Sequence, residues 1–236
     1  MKKTALYLLA LPIMFGACTS KCVEDLGIRT TQDYKVEPYD EIKVSGPVKL
    51  ILRQDSSFNI EVQSDSSASG LVKAKVSGHE LEIKLNSEKY CGRDSVIVTA
   101  GIGALKKIEA SEAVRVYSSS LITVNELELK LSGATQIKME LNAAKLITNA
   151  DGASRINLIG QAGTHELKSK GALDLDSYAF VAGIYRLDLE GVAKAKINVL
   201  NDLRIKSTGA ATISYKGTPK NLEEKKTGTY KLEKVN

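Results

Sequence analysis

The chain has 236 residues, 43% of them hydrophobic, with 9 Tyr, 3 Phe and no Trp. That content excludes wholesale disorder and demands an aliphatic core, which suits thin stacked layers. Lys and Arg number 33 against 28 Asp and Glu, a formal charge of +5, and the two signs interleave without stacking aromatics between them; this excludes a nucleic-acid binder and describes a mixed solvated surface.

At the N-terminus, Lys2 and Lys3 precede an apolar run over residues 5–15, broken by Pro12, and then Gly16-Ala17-Cys18. A helix needs about 20 apolar residues to cross a bilayer, so this run is too short to span and reads as the apolar region of a signal peptide, residues 1–17. The small pair before Cys18 resembles a lipobox, which implies that Cys18 is acylated and becomes the mature N-terminus. Phe15 stands where lipoboxes prefer Leu, but cleavage by the general signal peptidase fits worse, because it requires a small residue there. Loss of Lys2 and Lys3 with the signal peptide lowers the charge from +5 to +3. Two or more acyl chains hold a protein at a membrane essentially without release, so the expected membrane partner is a bilayer, through an anchor and not a span. Thr19 and Ser20 follow the cysteine with no Asp directly after it, which by the sorting rule of Gram-negative lipoproteins favours the outer membrane; its periplasmic and external faces both stay open.

Residues 18–33 show no periodicity and read as a tether. Cys22 and Cys91 are two further cysteines that an oxidising envelope makes a candidate disulfide, with no geometry in the sequence to decide it. With His79 and His165 the only histidines, no Cys/His cluster has metal-ligand spacing, and neither metal nor cofactor is expected.

From residue 34 onward strands are predicted. Apolar and polar residues alternate over 41–44, 48–52, 58–62, 71–76, 81–85 and 95–99, separated by turn-forming Ser, Gly, Asp and His. Residues 34–110 form an irregular β part and 111–236 a repeat part of a single domain, 34–236. In the repeat part Gly133, Gly152, Gly171, Gly191, Gly209 and Gly228 fall at intervals of 19, 19, 20, 18 and 19 residues. A fixed period near 20 is the signature of a solenoid. Slots four, six and eight residues after each glycine are expected to face inward, among them Ile137, Met139, Leu141, Ile156 and Leu158, as are slots two, four and six before it, such as Leu131, Leu129 and Leu127. Small residues follow each glycine (Ala134, Ala153, Ala172, Val192, Ala210), describing a tight bend repeated coil after coil; Ser111-Glu112-Ala113 marks an earlier bend. The reading is all-β, a parallel β-helix of roughly 19-residue coils continuous with the N-terminal β region. Antiparallel hairpins are the alternative, disfavoured by the lack of two-residue Asn-Gly turns.

The segment Tyr39-Asp40-Glu41-Ile42-Lys43-Val44-Ser45-Gly46-Pro47-Val48-Lys49-Leu50, the Ser-Gly-Ala periods and the closing Tyr215-Lys216-Gly217-Thr218-Pro219 together resemble the auto-transporter adhesin head-domain (GIN domain) family, over about residues 34–234. The resemblance implies a right-handed β-helical fold and an adhesive or surface role, and it brings no catalytic residues. The expectation is a lipid-anchored envelope binding module that is not an enzyme, with an unidentified protein or glycan ligand and a capacity to self-associate. A polysaccharide-degrading β-helix enzyme and a purely structural envelope protein are the alternatives.

The enzyme alternative needs clustered carboxylates or an activated nucleophile. Asp174 and Asp176 are the best carboxylate pair, but Arg155, Lys194 and Lys196 stand beside them in the adjacent coils, as in a cross-strand charge ladder. His165 falls in an inward slot and is expected to pack, not to act as a base. If slots seven and nine after glycine point outward, Ile159, Tyr178, Phe180 and Leu200 make one exposed apolar contact patch with a polar rim; the alternative is that the strand has already turned and covers Tyr178 and Phe180.

Overall fold

The computed structural model describes residues 22–86, 88–93 and 96–236. Cys18 and residues 1–17, the expected signal peptide, lie outside them. The described residues form β1 (Arg29–Lys35), β2 (Glu41–Ser45), β3 (Val48–Gln54), β4 (Asn59–Asp65), β5 (Val72–Ser77), β6 (Glu80–Leu85), β7 (Val96–Ile102), β8 (Lys107–Ser111), β9 (Arg115–Ser118), β10 (Ile122–Lys216) and β11 (Asn221–Lys234), with one 3-10 turn at Ser69–Leu71 and no α-helix. All the strands join one sheet system. The protein is all-β, and the alternating positions seen in the sequence become the alternation of buried and exposed side chains in β2, β3, β6 and β8.

β10 is hydrogen-bonded as strand for 95 residues, yet positive-φ glycines such as Gly152 and Gly171 bend it and it folds back on itself. A β-carbon built on Gly171 would stand 2.4 Å from the carbonyl oxygen of Gly152, and one on Gly191 would stand 2.4 Å from that of Gly171. Each period therefore lies against the period before it. Along its C-terminal end β10 pairs in parallel with β11, Asp202 beside Asn221 and Gly209 beside Gly228; at its start it pairs in parallel with β8 and β9, Leu129 beside Ile108 and Ile137 beside Val116. The bend anticipated at Glu112 is present, with φ of +69° on a non-glycine residue, and Ala134 N–H donates to the Glu112 carbonyl at 2.7 Å.

Before β10, spatial order departs from chain order. β2 lies between β6 and β8, and β3 lies between β7 and β9, all in parallel register. The layer formed by β6 and β7 thus sits outside the layer formed by β2 and β3, although it comes later in the chain. β4 then pairs antiparallel with β7, β1 with β4, and β5 with β6. The N-terminal end of the stack is closed by antiparallel strands, so its parallel edge is not left open.

The segment expected to be a tether, 18–33, is from Cys22 onward part of this end. Arg29 to Asp33 lie in β1. Asp65 accepts N–H donors from Leu26 and Ile28, each at 3.1 Å, and from Ser67 at 2.9 Å; these bonds, the Ser67 hydroxyl above all, hold its carboxyl well below the usual range. Cys22 and Cys91 are joined by a disulfide with Cα atoms 5.6 Å apart, flanked by Val23 N–H donating to Lys89 and Cys91 N–H donating to Val23.

One aliphatic core runs through every layer, from Ile42 and Leu50 to Ile197 and Ile213. At the far end β11 pairs on one side only, with β10. Its Glu224 and Lys226 stand in register with Ile205 and Ser207, both buried, so the last period carries charges in inward slots. Their side chains lie 3.7 Å apart.

Candidate functional site

The expected apolar patch is only partly present. Ile159 and Leu200 are 41% and 53% exposed, but Phe180 is fully buried. Its ring packs edge-on to that of His165, with centroids 5.9 Å apart. The cause is the one 20-residue interval, Gly171 to Gly191: its additional residue is taken up at Ala179, which is exposed where an inward slot was expected, and Phe180 takes that slot instead. One added residue reverses the facing of the next positions along the strand. Tyr178 is half-buried and lies beneath Lys196 and Lys216, whose ammonium groups are 5.8 and 5.2 Å from its ring centre. The patch of four therefore reduces to Ile159 and Leu200 beside a cation-covered tyrosine. Gly160 also departs from its inward slot: at φ +117° it bends the backbone so closely over the preceding layer that a β-carbon would lie 2.3 Å from the Leu141 carbonyl oxygen.

The carboxylate pair is engaged. Arg155 Nε reaches Asp174 Oδ2 at 3.2 Å, and Lys196 Nζ reaches Asp176 Oδ2 at 3.3 Å, each across one layer. His165 is wholly buried, where desolvation lowers its imidazole to about 3. Its Nε2 lies 3.1 Å from Thr148 Oγ1, and its ring sits 4.9 Å from that of Tyr185. Tyr185 in turn bonds Ser177, whose hydroxyl donates to the Lys196 carbonyl at 2.8 Å. A neutral imidazole sealed among core side chains has no path to a substrate, so this cluster is structural. Among the described residues no group of three or more His, Cys, Asp or Glu could hold a metal ion.

A feature that the alternation did not reveal is a groove of about 830 Å³ on the outside of the glycine corner. It crosses the layers from Pro47 to Tyr230, and its floor is the small residue after each corner: Ala113, Ala134, Ala153, Ala172, Val192 and Ala210. The third residue after each corner forms its side, including Arg115, Gln136, Arg155, Asp174, Lys194, Thr212 and Lys231. The signal was present in the sequence as the run of small residues following the glycines, but only their stacking makes it a concave surface. On the strand preceding the corner the charges are paired across layers: Arg186 with Glu166 at 2.7 Å, Lys206 with Asp188 at 3.3 Å and Arg204 with Glu223 at 3.7 Å.

Several solved structures share this fold. A "putative adhesin" from Bacteroides fragilis NCTC 9343 superposes with a TM-score of 0.82 at 18% identity, covering 90% of this chain and 100% of its own. A "putative adhesin" from Parabacteroides distasonis ATCC 8503 gives 0.68 at 22% identity, covering 90% and 99%. A "putative lipid binding protein" from the same strain gives 0.64 at 18% identity, covering 92% and 100%. At these identities the likeness is one of fold. No curated protein matches the chain. The family described as "Putative auto-transporter adhesin, head GIN domain" matches residues 38–219, the span that holds the parallel layers from β2 to β10, the glycine corners up to Gly209 and most of the groove, and the chain belongs to that family.

Proposed function

We propose that this protein is a lipid-anchored, non-catalytic binding module of the bacterial envelope, adhesive in role, built as a right-handed parallel β-helix. The observation that carries the proposal is the groove: an elongated concave surface crossing layer after layer, while the carboxylates nearest to a catalytic arrangement are engaged by Arg155 and Lys196. Such a surface offers contact area along its whole length and no activated nucleophile. The parallel registers near 19 to 21 residues support the β-helix, and connections between parallel strands of one sheet are nearly always right-handed. The Cys22–Cys91 disulfide supports an oxidising compartment, and family membership supports an envelope location. The polysaccharide-degrading alternative is disfavoured by the neutralised carboxylates.

Two measurements test the reading. Cys18→Ala should move the protein from the membrane fraction to the soluble fraction; retention after a carbonate wash would refute the anchor. Protease added to intact cells should digest the protein if it acts at the surface. Full protection would place it in the periplasm and refute adhesion.

A further inference from the structure

The side of the groove carries a row of charges held in register from layer to layer. Lys49 pairs in register with Arg115, and Arg115 with Gln136; Thr212 pairs with Lys231. The corner stacking of Gly133, Gly152, Gly171, Gly191 and Gly209 places Arg155, Asp174 and Lys194 between them in the same row. From Arg115 onward the row therefore reads cation, Gln136, cation, Asp174, cation, Thr212, cation. Neighbouring layers are about 4.8 Å apart, so the cations recur about every 10 Å over a groove about 30 Å long. Asp174 is the single carboxylate in the row, and it bonds Arg155. The row is net basic, with four cations to one carboxylate; the ladder three residues before each corner, Glu109, Lys130, Asn149, Lys168, Asp188, Lys206 and Lys225, carries four cations to two carboxylates but does not border the alanine floor.

We propose that this groove binds a linear acidic polysaccharide in which a charged sugar alternates with an uncharged one, lying along the stack; the inference rests on the reading of the protein as a binding module. The periodicity selects the class. Two pyranose rings joined end to end match two layers, so a uronic acid in every second sugar meets a cation each time, and the intervening sugar meets Gln136, Asp174 or Thr212, side chains that bond hydroxyl groups. An extended peptide repeats its same-side residues about every 6.8 Å and drifts out of step with the cations. The alanine floor leaves room for a flat ring to approach the backbone layers, where larger side chains would hold it away.

The test is binding of the full chain to immobilised hyaluronan, in which a uronic acid alternates with a neutral sugar, alongside the same polymer with its carboxyl groups reduced and poly-glutamate. Arg155→Gln with Lys194→Gln removes two charges from the groove, and Lys168→Gln with Lys206→Gln removes two from the opposite ladder. The expected result is binding to hyaluronan that the groove pair weakens roughly tenfold or more, with a small effect of the ladder pair and unchanged melting for both. Equal losses from the two pairs would overturn the proposal, as would stronger binding to poly-glutamate or no binding to hyaluronan. Binding to the reduced polymer that is lost in the groove variant would overturn the acidic class while leaving the binding-module reading intact, and protease shaving of cells tests that reading separately.

Discussion

The carbonyl oxygen of Gly133 lies directly against Gly152, so that a β-carbon at residue 152 would stand 2.6 Å from it. Gly152 also has φ of +110°, where a β-branched side chain is strained in addition to colliding. Gly152→Val should cost at least about 1–3 kcal/mol, and Ala153→Val, at the exposed adjacent position where Val192 is tolerated one layer pair away, should cost little. Denaturant unfolding of the two variants checks this; equal midpoints would refute the corner geometry.

Burial of Phe180 and partial exposure of Tyr178 make a second contrast. Phe180→Ser should lose about 3–5 kcal/mol as a core truncation. Tyr178→Ser should lose much less, because its ring is only half-buried, under the half-buried Lys196 and Lys216. The comparison is again read from unfolding midpoints.

His165 sets a pH dependence. Its folded value, near 3, lies below the value of about 6.5 of an unfolded chain, so at pH between these limits the unfolded state binds a proton that the folded state refuses. Stability is therefore fully present above about pH 6.5 and falls as pH drops toward 3, by up to about 1.4 kcal/mol per unit from this group. His165→Leu should flatten the slope between pH 6.5 and 5, above the range in which carboxylates such as Asp65 titrate. An unchanged slope would show that the imidazole is not sealed from solvent.

Cutting the Cys22–Cys91 bond, across 69 residues of chain, should cost about 2–4 kcal/mol. Cys91→Ser should also speed amide exchange at Val23, whose N–H donates to Lys89. Undiminished protection at Val23 would mean that the hydrogen bonds made by Asp25 and Asp65 hold this segment without the disulfide.

The inward charges of β11 guard an unpaired edge. Glu224→Val with Lys226→Val should turn the last layer into an apolar end and drive end-to-end association, measurable by sedimentation. A variant that stays in the association state of the parent would show that the edge is protected by something else.

Much of this protein is legible along the chain. The interval between glycines sets the period, the Ser-Glu-Ala at 111–113 marks a corner without a glycine, and alternation assigns Ile137, Leu158 or Ile197 to the core, because strand facing and tight bends are local properties of two to five residues. Tertiary structure decided what depends on partners distant in sequence. Nothing local to β6 and β7 says that they stack outside β2 and β3, since strand edges of similar composition compete for the same neighbour. One residue accommodated at Ala179 turned Phe180 inward, and a row of cations drawn from Lys49 to Lys231 became a single surface only when successive layers came to lie about 4.8 Å apart.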